Sequence, residues 1–203
     1  MIFSEITIAF SLLFILILVL LHFLKRELDP RWRMISEYEI GKHGWLMRVA
    51  FISWGMSVLF LAIVLTQNAS TFSLLSTIWL SIIVIALFGA AVFITDPITN
   101  ISGSVRNALH TICGAMVILT FPIIATVIAV MLSRIVRHEQ LLLLILVTAL
   151  TWAGQIGFFA SIRISQRLDP SAGRVGPTIY LGWPNRVMVL FYIVWICVIA
   201  WMT

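Results

Sequence analysis

Few side chains in this chain can do chemistry: among 203 residues there are eight Asp and Glu, four His and thirteen Lys and Arg. Five of them, Glu37, Arg48, Asp96, His110 and Arg186, stand at or near the ends of long apolar runs on what the spacing makes one common side. Ionisable groups at the edge of a membrane span are costly to keep, which makes them functional candidates. A carboxylate, an imidazole and guanidinium forks in one layer can bind a lipid headgroup or a small anion, or relay protons. Arg matches phosphate geometry and His titrates near neutrality. The same groups could instead satisfy one another, with Asp96 paired to Arg186 or Arg48 and His110 making a single hydrogen bond.

Two other chemistries use overlapping residues. If His22 and His110 lay on neighbouring helices at one depth, two imidazoles could ligate a haem iron axially. An intramembrane hydrolase would need a nucleophile, a base and an orienting group, roles open to Ser36, His110 and Glu37. Ser36 also has a plainer reading, since Ser followed three residues later by Glu39 has the form of a capping box. No metal-ligand spacing, phosphate loop or dinucleotide fingerprint is found, so an enzyme is the less favoured class and no metal is expected.

The elements that must position these groups are transmembrane helices. Apolar residues make up 62% of the chain and charged ones 10%, against about 45–50% and about 25% in soluble domains. That balance excludes a water-soluble globule and a nucleic-acid module. Each span needs about 20 apolar residues, and runs near 4–24, 46–66, 73–95, 108–132, 140–162 and 185–202 supply six. The reading is an all-α bundle of six membrane helices in a single domain over residues 1–203. No basic residue precedes Lys25, so the first run reads as an uncleaved span.

Orientation follows from the basic residues. Eleven Lys and Arg fall on the side of the loops after helices one, three and five, and only Arg134 and Arg137 on the other. The positive-inside rule then puts those three loops in the cytoplasm and both termini outside. Within the helices, Ala149, Ala153, Gly157 and Ser161 recur every four residues, the spacing that lets two helices approach closely in lipid. Pro122 removes a backbone donor and predicts a kink in the fourth span. Cys113 and Cys197 sit at depths about 10 Å apart at about 1.5 Å per residue, too far for a disulfide.

The odd-numbered spans are followed by Asp29-Pro30, Asp96-Pro97 and Asp169-Pro170. Pro disfavours helix in the residue before it, so Asp-Pro reads as a helix terminator. Gly44-Trp45-Leu46-Met47-Arg48-Val49 and Gly182-Trp183-Pro184-Asn185-Arg186-Val187 share the pattern G-W-x-x-R-V. The pair suggests a repeated hairpin unit, with a shared site at the repeat interface.

The run Ile35-Ser36-Glu37-Tyr38-Glu39-Ile40-Gly41-Lys42-His43-Gly44-Trp45, with Phe93-Ile94-Thr95-Asp96-Pro97, His110, Gly182 and Arg186, resembles the prokaryotic membrane family called domain of unknown function 998. The resemblance covers nearly the whole chain. It implies a compact six-helix integral protein of a bacterial or archaeal cytoplasmic membrane, with no assigned role. Combined with the residues above, the expected function is non-enzymatic binding of a lipid headgroup or small anion. The alternative is an accessory subunit of a larger membrane complex, such as an electron-transfer assembly, packed through its lipid-facing helices.

Overall fold

The structure is a computed structural model that describes residues 2–67, 74–100, 103–168 and 177–203. Among these it contains six long helices and no strand: α1 (Ile2–Leu24), α2 (Gly44–Gln67), α3 (Leu74–Val92), α4 (Val105–Leu132), α5 (His138–Leu168) and α6 (Gly182–Met202). All six are long and apolar enough to cross a membrane. The helices form a ring in chain order, each packed on the next, and α6 closes it against α1. Lesser contacts of α6 with α2 and α4 cross the interior.

Lipid is as apolar as leucine, so the bundle is held by close packing and polar contacts between helices. In the middle of the ring Tyr192 and Trp195 of α6 are fully buried. Phe121 of α4 stacks on Tyr192 at 4.4 Å and meets Trp195 edge-on at 5.6 Å. The Trp195 indole donates to Thr148 Oγ1 at 3.1 Å, fixing which side of α5 faces inward. That side carries Thr151, Gly154 and Phe158, and a Cβ on Gly154 would come within 2.9 Å of Met188 Cα. The stripe of Ala149, Ala153 and Gly157 therefore does not pack within the chain but is exposed on the outer face. Four-residue spacing finds a smooth helix face without saying which neighbour it meets.

Pro122 lies inside α4 and takes away the N–H that would bond the Ile118 carbonyl. Two neighbours supply the replacement, as membrane proline sites require. Gln155 Nε2 of α5 donates to Ile118 O at 2.6 Å and Tyr192 Oη of α6 at 3.1 Å. A local defect in α4 thus becomes a joint among three helices.

The helix ends differ from expectation at the polar end of the bundle. α1 stops at Leu24 and α3 at Val92, so neither Asp29-Pro30 nor Asp96-Pro97 terminates its helix directly. Asp29 instead accepts from the Arg31 backbone and pairs with the Arg31 guanidinium at 2.7 Å. Asp169-Pro170 lies outside the described residues, as does Arg174. α5 continues to Leu168, beyond the apolar run, carrying the exposed Arg163 and Arg167. Cys113 and Cys197 are free thiols.

Two glycines let the α1–α2 connection press against helix starts. A Cβ on Gly44 would collide with the Glu39 carbonyl, and one on Gly182 with the Pro30 carbonyl and, at 2.7 Å, with that of Arg33. Gly44→Ala should therefore lower thermal stability in detergent by about 1–3 kcal/mol. Gly157→Ala meets open space and should raise stability by up to about 1 kcal/mol through helix propensity.

Candidate functional site

The chain between α1 and α2 does not run over the surface. It turns back into the end of the bundle, where a 3-10 turn over Ile35–Glu39 buries Glu37, Tyr38 and Glu39. Buried peptide groups need partners, and α6 provides most of them. Arg186 is 6% exposed. Its Nη1 donates to Arg33 O at 2.7 Å and Gly182 O at 2.9 Å, its Nη2 to Tyr38 Oη at 2.9 Å, and its Nε to His22 Nε2 at 2.9 Å. Asn185 Oδ1 accepts the Ile35 N–H at 3.2 Å, and Gly182 N–H donates to Arg31 O at 3.0 Å. From the end of α1, buried Lys25 donates to the carbonyls of Tyr38 and Ile40. Burial holds the Lys25 ammonium below its ordinary range, against the opposing pull of Glu27.

On the other side of the turn the two carboxylates reach the α3–α4 segment. Glu37 accepts the N–H of Ile98 at 2.8 Å and of Met34 at 3.1 Å, and Arg33 Nε lies 3.3 Å away. The backbone-capping carboxylate of this turn is thus Glu37 acting on Met34; Ser36 sits inside the turn and caps nothing with Glu39. Glu39 accepts the Thr95 N–H at 3.2 Å, and its Oε2 is 3.5 Å from His110 Nδ1. Its other oxygen is buried without a partner. His110 Nδ1 donates to the Phe93 carbonyl at 2.6 Å, with that of Ala90 at 3.2 Å, capping the end of α3. With acceptors on every side of Nδ1, the hydrogen belongs there and Nε2 keeps its lone pair.

Asp96 is not paired with either arginine. It accepts the Ser104 N–H at 2.6 Å and the Ser104 hydroxyl at 3.1 Å, while Ser104 caps α4 through the Asn107 N–H at 3.1 Å. The first turn of a helix offers unbonded N–H groups and a positive dipole end, and these claim the carboxylate. Arg186 lies behind the 3-10 turn on the α1–α6 side. Arg48 is exposed, acting on Glu39 only through its charge. The repeated G-W-x-x-R-V pattern thus marks two helix starts whose arginines do different things, and the described residues do not confirm a hairpin repeat.

The two histidines also belong to separate clusters. His22 donates from Nδ1 to Leu18 O at 2.7 Å and accepts from Arg186 at Nε2, so both ring nitrogens are engaged. An iron ligand needs one of them free. No hydrogen bond joins Ser36 to Glu37 or His110, so the nucleophile and base of a hydrolase are not assembled. Among the described residues no three of His, Cys, Asp and Glu converge to hold a metal ion.

Between these polar groups and the bundle interior lies a cavity of about 380 Å³. Its rim at the polar end carries Ser36, Glu37, Thr95, Asp96, Asn107, His110 and Asn185. Its depth is apolar, walled by Phe51, Trp54, Leu87, Ile118 and Phe158. Gly114 and Ala115 of α4 face Phe158 and Phe159 of α5 across it. Leu119 and Phe159 on its outer edge are 50% and 40% exposed, so the cavity opens sideways between α4 and α5. The Gln155 bond to Ile118 closes it from beyond.

A family model described as protein of unknown function (DUF998) matches residues 8–202. The chain belongs to the DUF998 family. Comparison with curated proteins and with solved structures finds no match. Of the residues singled out in this DUF998 chain from sequence, the fold brings Glu37, Asp96 and His110 to one cavity and leaves Arg48 and Arg186 away from its wall. Sequence reasoning missed Tyr38, Lys25, Asn107 and Trp54. Only Asn107 had a signal, three residues after the capping Ser104.

Arg186→Met would take the guanidinium from three carbonyls, a phenol and an imidazole in a buried place and should cost about 3 kcal/mol or more of thermal stability. Arg186→Lys should recover little, since an ammonium cannot reproduce the fork. Asp96→Ala removes a helix-terminus contact and should cost only about 1 kcal/mol.

Burial pushes the Glu39 carboxyl from an ordinary value of 4.5 up to about 8, against the opposing Thr95 N–H and Arg48 charge. Between those values the folded chain holds a proton that the unfolded chain has lost. Stability is then full below about pH 4.5, falls as pH rises toward 8, and levels off above it. Glu37 is raised by burial in the same direction, so Glu39→Gln should lessen the fall in melting temperature across that window without abolishing it.

Proposed function

We propose that this protein binds a single-chain membrane amphiphile in the cavity between α4 and α5, with the polar group against Glu37, Asp96 and His110. One observation carries the reading: an apolar cavity open to the lipid-facing surface ends in a cluster of convergent polar groups. Small-molecule sites combine these features, and about 380 Å³ is at the lower end of the roughly 300–1,000 Å³ such sites occupy. One chain enters; the lateral gap lets it do so from the bilayer. Among the described residues, all the Lys and Arg but Arg134 and Arg137 belong to this end of the bundle, which supports a cytoplasmic rim. A small anion fits less well than the sequence suggests, because no Lys or Arg lines the cavity.

A second reading, subunit of a larger membrane complex, is favoured by the outward face of Ala149, Ala153 and Gly157 on α5. Small residues there offer a second helix close approach. That reading expects an association of fixed stoichiometry in native membranes that Gly157→Leu removes.

The amphiphile reading is tested with a photoreactive oleyl alcohol analogue added to the purified chain in lipid nanodiscs. Gly114 lines the cavity with open space at its Cβ position, so Gly114→Trp should fill it. Labelled peptides should come from the Gly114–Leu119 and Phe158–Phe159 segments and be lost in Gly114→Trp. Labelling spread evenly over all lipid-facing helices, unchanged in the variant, would overturn the reading.

A further inference from the structure

We infer that the polar group of this amphiphile is uncharged and hydroxylated, and that an acyl carbonyl follows one helical turn deeper, where Trp54 receives it; the inference rests on the cavity being an amphiphile site. Charge comes first. The buried cations nearest the rim, Lys25 and Arg186, spend their donors on carbonyls of the α1–α2 connection, on Tyr38 and on His22. A phosphate or carboxylate head would therefore meet Glu37 and Asp96 at the rim, where the one cation beside them, Arg33, does not line the cavity and is already paired with Glu37. A cationic head gains little either, because both carboxylates are already occupied. Glu37 holds two backbone N–H groups with Arg33 beside it, and Asp96 holds the Ser104 N–H and hydroxyl.

What remains at the rim is a mixture of neutral donors and acceptors. Asn107 uses its carbonyl oxygen on the Thr95 hydroxyl and the Asp96 N–H, and Asn185 uses its own on the Ile35 N–H. Both amide nitrogens are left to donate. His110, with its hydrogen on Nδ1 toward Phe93 and Ala90, is left to accept at Nε2. Hydroxyl groups, each a donor and an acceptor at once, match such a set.

The deeper contact is independent of the rim. Trp54 lines the cavity, is 3% exposed, and its indole N–H is buried without an acceptor. A buried donor left unbonded is the exception in folded proteins. Phe51, three residues earlier on α2, packs edge-on against His110 at 5.9 Å, so Trp54 sits about 4.5 Å further along the helix at about 1.5 Å per residue. The ester carbonyl of a monoacylglycerol lies at about that offset below its hydroxyls. The apolar walls beyond, from Leu87 to Phe158, take the chain.

The test compares three probes that share an oleyl chain: 1-oleoylglycerol, its ether analogue 1-O-oleylglycerol, and 1-oleoyl lysophosphatidic acid. Equilibrium binding to the full chain in nanodiscs is measured for each. The ester should bind about fivefold tighter than the ether, the worth of one hydrogen bond. The anionic probe should bind at least about tenfold more weakly than the ester, the effect of setting its charge beside carboxylates whose one neighbouring cation, Arg33, is already paired. In Trp54→Phe the ester and ether should become equal. If that variant does not fold, the ester-to-ether ratio in the unaltered chain decides. Equal binding of ester and ether, or tighter binding of the anionic probe, overturns this inference while binding that Gly114→Trp removes still upholds the amphiphile site. Saturable binding by none of the three, or binding that Gly114→Trp leaves intact, overturns both.

Discussion

Non-helical chain can be buried in a helical bundle only where its peptide groups find partners, and here the first turn of α6, centred on the Arg186 guanidinium, shares that demand with Lys25, Glu37 and Glu39. Arg186 ties three backbone carbonyls, a phenol and an imidazole from three separate stretches of sequence. Together with Lys25 and Asn185 it holds the 3-10 turn between α1 and α2 inside the bundle. With the turn inside, Glu37 and Glu39 are carried across to the α3–α4 segment and fasten its backbone at Ile98 and Thr95. One cationic fork on α6 thus organises the polar end of helices it barely touches. A buried charge set among neutral acceptors is a costly arrangement, and its return is a fixed rim for the cavity below.

The six helices were legible because each is a long apolar run, and hydropathy needs no knowledge of neighbours. Their family was legible from the loop around Ser36-Glu37 and the Gly-Trp that follows. Helix ends were less legible. α3 stops four residues before Asp96 because His110, from another helix, caps its carbonyls, a contact that no local pattern in α3 announces.

The site was half legible for a similar reason. Residue type singled out Glu37, Asp96 and His110, which the fold gathers at one cavity, but pairing Asp96 with Arg186 assumed that opposite charges at equal depth meet. The nearer donors belonged to the start of α4, and proximity along the chain won over charge. The small-residue stripe on α5 failed differently: its spacing is real, yet the inward face of that helix is set by Thr148 and Gln155, whose partners lie on α6 and α4. Trp54 could not be singled out at all, because an unbonded indole is visible only once its surroundings are known.

The length of α5 ties the cavity to its surroundings. At 31 residues and about 1.5 Å each it is about 46 Å long, against about 30 Å of hydrocarbon. A helix longer than the membrane core accommodates by tilting or by lifting the bilayer around it, each at modest cost per ångström of mismatch. Phe158 and Phe159 on this helix form one wall of the cavity, while the opposite wall belongs to the shorter α3 and to α4. A change in bilayer thickness that tilts α5 would therefore move one wall against the other, which would make membrane thickness a mechanical variable for the cavity.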